Sequence, residues 1–366
     1  MKIIEQGYVT PKSKSNFRYN AWPTVITLKD GTLLAGWSGE RLKHICPFGK
    51  AMMARSVDGG HTWLPAYVAQ DTVLDDRDVG LLQVGDKVIM SSVTNDRNMQ
   101  RKHQEHWLHH PDTEEKKRFV AAYLDMITDE EEERFIGPYV AVSNDNGYTF
   151  SEPKMIPLTC PHGPILTKEG KILFVGKFST YGKRQGYDLE DGIYALELDE
   201  ECNIVEGPWM VAPLPEEFNS RSNFCEPHAA QLPNGDILVA IRREDKLNDI
   251  HTMYLCRSTD GGKTFTKAEN TGFDGFPPHL FVDSKGRVIL SYGKRHDPMG
   301  VRVRVSYDNG YTFGDELVIR DNGVDWDLGY AATTENDKGQ MVTVYYMKDV
   351  PDVNENRICY AIWEIE

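Results

Sequence analysis

Residues able to transfer protons or to attack an electrophile stand at the start of most strand–turn–strand units in this chain. A carboxylate or an imidazole can act as a general acid or base, and imidazole titrates near neutral pH. A phenol ionises near pH 10, so a tyrosine needs an adjacent base to attack at neutral pH. The residues are Asp78, His162, Glu226, His228, His279 and Tyr330.

Six such units repeat along the chain, each a short strand, a glycine turn and a β-rich run. Their turn glycines are Gly31, Gly85, Gly170, Gly235, Gly286 and Gly339. More strand pattern follows each unit, which predicts an all-β fold, a six-bladed β-propeller forming one domain over residues 1–366. The first strand of each blade lines the axis of a propeller, so the titratable residues are predicted to gather at one mouth. Segment 358–365 is predicted to pair with the N-terminal strand and close the ring.

A second repeat has the pattern Ser-x-Asp-x-Gly-x-Thr-aromatic and occurs four times, at 56–63, 143–150, 258–265 and 306–313. The Ser and Asp side chains cap a tight turn, the glycines supply positive φ, and the aromatic packs inward. Four copies in register indicate an internal repeat. This is the Asp-box pattern, and the chain resembles the sialidase superfamily of β-propellers. The motif lies in turns at the rim, so it indicates the fold and not the ligand.

The resemblance extends to the spacing of three residues. In sialidases one blade carries a Glu at the start of its inner strand and an Arg sixteen positions later, as Glu226 and Arg242 do here. Their last blade has a Gly-Tyr nine residues before the turn glycine, matched by Tyr330 and Gly339. The resemblance implies Tyr330 as nucleophile, Glu226 as its base and Arg242 as a clamp for the substrate carboxylate. A sugar bearing a carboxylate repels a carboxylate nucleophile, and the planar guanidinium binds both carboxylate oxygens.

The chain departs from the family in its first blade. Sialidases open that blade with Arg-Ile-Pro, but here Ala21 stands at the arginine position. Arg18 and Arg41 are the candidates to compensate. No carboxylate occurs in segment 41–55, where the family's acid/base Asp is expected. His44 is a candidate general acid there, because it titrates near neutrality.

Two further groups of candidates come from the neighbouring blades. Asp76 or Asp78 at the start of the second blade could serve as the acid instead of His44. Arg295 follows the fifth hairpin and is expected near the mouth, whereas Arg302 and Arg304 are predicted to form a solvent-exposed ladder. The substrate-binding candidates are Arg242, Arg295, Arg41, Arg18, Arg77, His228, His279 and His162.

The longest interval between hairpins, about residues 98–135, has a helical pattern with runs of charge. It is predicted to be an insertion in the second blade that acts as a lid or an oligomer contact. It contains four histidines, and no carboxylate or Cys pattern completes a metal site around them, so a solvated polar face is predicted. They are His103, His106, His109 and His110. The six cysteines lack CxxC spacing and are predicted to be buried thiols, and neither a metal nor a cofactor is predicted.

Composition restricts the partners. A formal net charge of −15 argues against nucleic acid and anionic membranes, and an anionic substrate would need a local cluster of arginines. The N-terminal residues lack the apolar core of a signal peptide, and no apolar stretch reaches membrane-spanning length. A cytoplasmic location is therefore expected, or a secreted or periplasmic one if an export signal has been removed. The expected partner is a carbohydrate.

Three functions remain open from the sequence. The leading hypothesis is a retaining exo-glycosidase that acts on a terminal acidic sugar, foremost an α-linked sialic acid, through Tyr330. The second is a glycosidase or lyase that acts on another polysaccharide through the predicted ring of histidines. The third is a glycan-binding propeller without catalysis, because one fold serves many functions.

Overall fold

The chain forms a closed ring of six antiparallel sheets, in a computed structural model that describes residues 1–105, 114–351 and 355–366. Blade 1 contains β2 (Tyr19–Thr27), β3 (Leu33–Arg41), β4 (Lys50–Ser56) and β5 (Tyr67–Gln70), and it follows the N-terminal strand β1 (Lys2–Tyr8). Blade 2 contains β6 (Arg77–Val84), β7 (Lys87–Val93), β8 (Pro138–Ser143) and β9 (Lys154–Met155). Blade 3 contains β10 (Leu158–Thr159), β11 (Ile165–Leu166), β12 (Ile172–Phe178), β13 (Gly192–Leu198) and β14 (Ile204–Pro213).

The second half of the ring repeats this order. Blade 4 contains β15 (Ser222–Gln231), β16 (Ile237–Asp245), β17 (Ile250–Ser258) and β18 (Glu269–Asn270). Blade 5 contains β19 (Pro278–Val282), β20 (Val288–Lys294), β21 (Gly300–Ser306) and β22 (Leu317–Arg320). Blade 6 contains β23 (Gly329–Glu335), β24 (Met341–Lys348) and β25 (Asn356–Glu364), and β1 pairs with β25 from Lys2↔Glu364 to Tyr8↔Cys359. The predicted six-bladed propeller and its closure by the two chain ends are therefore confirmed.

The turn glycines of the sequence explain the hairpins, and the apolar side chains between the sheets explain why the blades pack together. The predicted turn glycines all have φ between 59° and 94°, a region that side chains with a Cβ rarely adopt. Apolar residues on facing blades form the core, as in the buried cluster that contains Trp37 of blade 1 together with Val342 and Val344 of blade 6. No helix in the described part of the chain is long and apolar enough to cross a membrane.

The Asp-boxes are turns between the third and fourth strands of their blades, and side-chain hydrogen bonds hold each turn together. In the last copy, Ser306 Oγ donates to Asp308 Oδ1 at 2.8 Å and Thr312 Oγ1 donates to Oδ2 at 2.6 Å. The hydrogen bonds from the Thr312 side chain and backbone, then from Ser306, lower the pKa of Asp308 to about 2. The other copies repeat these bonds around Asp58, Asp145 and Asp260.

The predicted helical insertion lies between β7 and β8 of blade 2. It contains α1 (Arg97–Glu105), α2 (Glu114–Met126) and α3 (Asp129–Phe135). Val120 and Leu124 of α2 belong to one buried cluster with Leu42 and Cys46 of blade 1, so the insertion is anchored beside the mouth of the ring. His106, His109 and His110 lie outside the described residues. A short 3-10 helix, Thr180–Gln185, connects β12 to β13.

One prediction about the fifth blade is wrong. Arg302 is 1% exposed. Its guanidinium donates to the carbonyl oxygen of Pro298 at 2.6 Å and to Glu316 at 3.1 Å. Arg304 reaches the carbonyl oxygen of Gly314 at 2.7 Å. These arginines hold loops and do not form a solvent ladder. The cysteines, in contrast, are all free thiols, and all but the half-buried Cys225 are buried.

Candidate active site

A cavity of about 510 Å³ opens at the mouth of the ring. Blade 1 contributes the loop after β3 and blade 2 the start of β6. Blade 4 contributes residues of β15 and β16, blade 5 the residue after β20, and blade 6 the start of β23 with the segment before it and the end of β24. His103 of α1 adds a side chain from the insertion. The other titratable lining residues are Lys43, His44, Arg77, Asp78, Glu226, Arg242, Glu244, Lys246, Arg295, Asp325, Asp327, Tyr330 and Lys348.

A shared backbone irregularity positions four side chains around the axis. The inner strands β2, β6, β15 and β23 each break register with the next strand, and the residue in the break has a left-handed φ. These residues are Trp22 (57°), Asp78 (55°), Glu226 (47°) and Tyr330 (49°). Non-glycine residues rarely adopt such φ values, and they do so where the surrounding structure holds a functional side chain in place.

Tyr330, Glu226 and Arg242 form one hydrogen-bonded group. Tyr330 Oη donates to Glu226 Oε1 at 2.7 Å, and Arg242 Nη1 donates to Glu226 Oε2 at 2.6 Å. The same Nη1 lies 3.4 Å from Tyr330 Oη, and Arg242 Nη2 lies 3.2 Å from Glu244 Oε1. The Arg242 guanidinium also covers the ring of Phe276 at 3.8 Å. The phenol therefore has a carboxylate base in direct contact, and Arg242 fixes that carboxylate.

The electrostatics of Tyr330 favour removal of its proton during attack and not before it. Burial, and then the negative charge of Glu226, raise the pKa of Tyr330 well above 10, while Arg242 opposes them. A standing phenolate is therefore disfavoured at neutral pH. Glu226 can accept the proton as the phenol oxygen forms a bond, which is general-base activation of a nucleophile.

His44 belongs to a second hydrogen-bonded group that lines the same cavity. Its Nδ1 lies 3.1 Å from Asp327 Oδ1 and 2.9 Å from the hydroxyl of Tyr19. Asp327 also accepts hydrogen bonds from Tyr19 and Tyr346, both at 2.9 Å. The His44 side chain is 36% exposed. A carboxylate on Nδ1 orients the imidazole and leaves Nε2 for proton exchange with a ligand.

His44 and Asp327 shift each other's pKa. Burial lowers the pKa of His44, and the Asp327 carboxylate opposes that effect. Burial also acts to raise the pKa of Asp327, but His44 and the surrounding donors outweigh it and hold that pKa well below its usual range. Asp327 is thus an anion that partly offsets the effect of burial on His44, whose pKa still lies below its ordinary value. Sequence reasoning missed Asp327, although an acidic residue three positions before Tyr330 was a visible signal.

Asp78 lines the cavity and is the second carboxyl group available for proton transfer. Burial raises the pKa of Asp78 to about 6, and the charge of Glu226 adds to the effect. Its Oδ1 is shielded from solvent and has no hydrogen-bond partner among the described residues. Asp76, the other candidate, is fully buried, accepts a 2.7 Å hydrogen bond from Tyr139 and does not line the cavity.

Three arginines line the cavity, and they differ in their partners. Arg242 contacts two carboxylates, and Arg77 lies 3.4 Å from Asp75 while covering the ring of Trp22 at 3.9 Å. Arg295 donates only to the carbonyl oxygen of Leu328, at 3.3 Å, and has no ion-pair partner among the described residues. Arg295 is therefore the guanidinium most available to an anionic ligand.

Two predicted substrate-binding arginines lie outside the cavity. Arg41 is fully buried, and its Nη2 lies 3.0 Å from Oδ2 of the equally buried Asp75. It also donates to the carbonyl oxygen of His44 at 2.9 Å, so it holds the loop that carries His44. Arg18 is half-buried ahead of β2 and does not line the cavity. The cavity arginine beside the first blade is Arg77, whose guanidinium lies over the ring of Trp22, the residue that follows Ala21.

The three histidines predicted at this mouth lie deeper in the ring. His162, His228 and His279 are buried and pack on one another, with ring centroids 4.4 to 5.4 Å apart. Burial lowers the pKa of His228 to about 3 and that of the other two well below 6.5. They line a different cavity of about 460 Å³. His228 lies two residues beyond Glu226, and each residue of a strand advances about 3.3 Å, which places it below the mouth.

Comparison with known proteins agrees with this architecture. The family model of the BNR repeat-like domain matches residues 91–343. A protein of unknown function from Dyadobacter fermentans DSM 18053 superposes with a TM-score of 0.72 and 23% identity, covering 100% of this chain and 99% of the other. No curated protein sequence gives a significant match.

Solved sialidases share the same fold at lower identity. A mutant of the NanB sialidase from Streptococcus pneumoniae has a TM-score of 0.67 and 13% identity, covering 98% of this chain and 70% of its own. The intramolecular trans-sialidase from Ruminococcus gnavus, solved with oseltamivir carboxylate, has a TM-score of 0.60 and 13% identity, covering 95% and 94%. The chain therefore belongs to the BNR repeat-like domain family, and it shares its six-bladed β-propeller fold with these solved sialidases.

Proposed function

We propose that the protein is a retaining exo-glycosidase for a terminal sugar that carries a carboxylate, foremost an α-linked sialic acid. The 2.7 Å hydrogen bond between Tyr330 Oη and Glu226 Oε1 is the observation that carries this proposal. A phenol paired with a half-buried carboxylate suits an anionic substrate, since a carboxylate nucleophile would be repelled. The sialidase fold of the structural neighbours supports the same reaction class.

The reaction has two steps. Tyr330 Oη attacks the anomeric carbon as Glu226 accepts its proton, the glycosidic bond breaks, and His44 protonates the departing oxygen. Water then attacks the tyrosyl glycoside, His44 removes a proton from that water, and Glu226 returns the proton to the released phenol. Arg295 binds the substrate carboxylate, and Asp78 is the alternative proton donor.

The deciding experiment compares wild type with Tyr330→Phe on a fluorogenic aryl α-sialoside. The aryl leaving group needs little protonation, so the unusual acid group does not obscure the nucleophile. We expect wild type to turn over this substrate and the variant not to. The variant should keep the melting temperature of wild type and its binding of an unreactive sialic acid analogue. A variant as active as wild type would remove Tyr330 from the mechanism.

A histidine-based glycosidase or lyase acting on another polysaccharide is the second candidate, and the cavity position of His44 favours it. That reaction predicts loss of activity in His44→Ala and tolerance of Tyr330→Phe. Saturable glycan binding without turnover of any aryl glycoside would instead favour the binding module. In that case Glu226→Gln would leave binding unchanged.

A further inference from the structure

A second cluster of ligating side chains lies behind the wall of the cavity, between blades 4 and 5. Asp249 is in the turn before β17, His251 is in β17, and His296 is in the loop between β20 and β21. One ligand atom from each residue lies within 4.8 Å of those from the other two. The two histidines are 45 positions apart, so their sequence spacing gave no signal.

The distances in this cluster are those of a site for a single ion. His251 Nε2 lies 3.6 Å from Asp249 Oδ1, and His296 Nε2 lies 3.5 Å from Asp249 Oδ2. Two ligands about 2.1 Å from a tetrahedral ion are separated by about 3.4 Å. The two imidazole rings are stacked at 4.4 Å and are parallel within 4°. A shared ion must lie near both ring planes, so binding requires the rings to tilt towards each other.

The hydrogen bonds around the cluster leave a lone pair directed into it. Asp274 Oδ1 lies 2.7 Å from His296 Nδ1, which assigns the ring proton to Nδ1 and the lone pair to Nε2. His296 Nε2 is shielded from solvent and has no hydrogen-bond partner among the described residues. A carboxylate on the distal nitrogen is the usual support of a metal-bound histidine.

We propose that Asp249, His251 and His296 bind one divalent transition-metal ion, with Zn²⁺ the best match, and that Asp274 orients His296. Two imidazoles and one carboxylate suit zinc, whereas calcium and magnesium prefer oxygen ligands. The three side chains leave the fourth tetrahedral position to water. The ion ties the β16–β17 turn of blade 4 to the β20–β21 loop of blade 5.

The site is placed to control one wall of the cavity. His296 follows Arg295 directly, and the His251 ring packs on Phe276 at 4.4 Å. Phe276 in turn supports the guanidinium groups of Arg242 at 3.8 Å and Arg295 at 5.2 Å. Bound metal therefore fixes the loop that presents Arg295. This consequence rests on the proposed function, but metal binding itself does not.

The test measures zinc bound by chelator-treated protein in equilibrium dialysis and in competition with a chromophoric chelator. Wild type should bind one equivalent more than His251→Ala/His296→Ala, and zinc should raise the melting temperature of wild type alone. His61→Ala is the matched control, because His61 also contacts a carboxylate, Glu5 at 2.7 Å, but belongs to no cluster of three ligating side chains among the described residues. It should behave as wild type. Any zinc bound elsewhere on the protein is common to all these proteins and cancels in the comparison.

Two single variants keep the test informative if the double variant does not fold. Asp249 is exposed, so Asp249→Asn should leave the fold intact and weaken zinc binding at least about tenfold. Asp274→Asn should weaken it by about 10- to 100-fold through His296. Equal stoichiometry and affinity in wild type and these variants would overturn the metal site. Because the readout is metal binding, that result leaves the glycosidase proposal to its own test.

Discussion

Glu226 and Tyr330 occupy the same structural position in two different blades, and their side chains meet across the axis of the ring. Each stands in the register break of an inner strand, with φ of 47° and 49°, and the two are 2.7 Å apart. The propeller thus uses one local backbone geometry twice to bring a base to a phenol from residues 104 positions apart.

This pairing predicts the behaviour of Glu226→Gln. The amide keeps the shape and can still contact Arg242, but it cannot accept the phenol proton. We expect kcat for an aryl α-sialoside to fall by about 10²- to 10⁴-fold, with binding of an unreactive sialic acid analogue retained. Glu244→Gln is the control, because Glu244 contacts Arg242 at 3.2 Å without touching Tyr330. Equal losses in both variants would contradict a role of Glu226 as base.

The fold was predictable because its signals are local. Turn glycines and strand patterns recur in all six blades and Asp-boxes in four of them, so the number of blades could be counted from the sequence. The spacing of Glu226, Arg242 and Tyr330 from their turn glycines likewise placed these side chains at one mouth. Each of these signals depends on residues that are neighbours in the chain or in one hairpin.

The parts that sequence reasoning missed depend on contacts between distant segments. Asp327 supports His44 across 283 positions, and no local pattern predicts that pairing. Arg41 was expected to bind substrate, but Asp75 of the next blade neutralises it inside the protein. His228 was placed at the mouth with Glu226, although a step of two residues along β15 carries it below the cavity. Register within a strand therefore decides which side chains meet the ligand.

The position of His44 predicts an effect that depends on the leaving group. A general acid matters for a poor leaving group such as a sugar hydroxyl and little for an acidic phenol. His44→Ala should reduce hydrolysis of a sialyl-disaccharide by about 10²- to 10⁴-fold and that of the aryl sialoside by less than about tenfold. The measurement is kcat/KM for both substrates. Equal losses on the two substrates would assign His44 a binding role, and a loss confined to Asp78→Asn would make Asp78 the acid.

Asp78 predicts a stability effect that depends on pH. Its pKa in the folded protein is about 6, against an ordinary value of 3.8, so the folded state holds this proton more tightly than the unfolded state. The stability from that preference is complete below pH 3.8 and is lost as the pH rises through 6. The free energy of unfolding of Asp78→Asn should therefore rise relative to that of wild type as the pH rises, by up to about 3 kcal/mol. Melting temperatures between pH 4 and 7.5 test this, and parallel curves for the two proteins would contradict it.

Arg295 predicts how the protein distinguishes acidic from neutral sugars. It is the cavity arginine that has no carboxylate partner among the described residues, so its charge is available to the substrate. A hydrogen bond to a charged group contributes about 1.5 to 3 kcal/mol, so Arg295→Gln should raise KM for an aryl sialoside by roughly 10- to 100-fold. Lys246→Gln is the control, because Lys246 is exposed and already lies 3.8 Å from Glu244. The methyl ester of the same sialoside should lose little affinity in Arg295→Gln, since it has no anion to bind. If Arg295→Gln raised KM for the ester and the acid equally, the guanidinium would support the structure of the cavity and would not bind the substrate carboxylate.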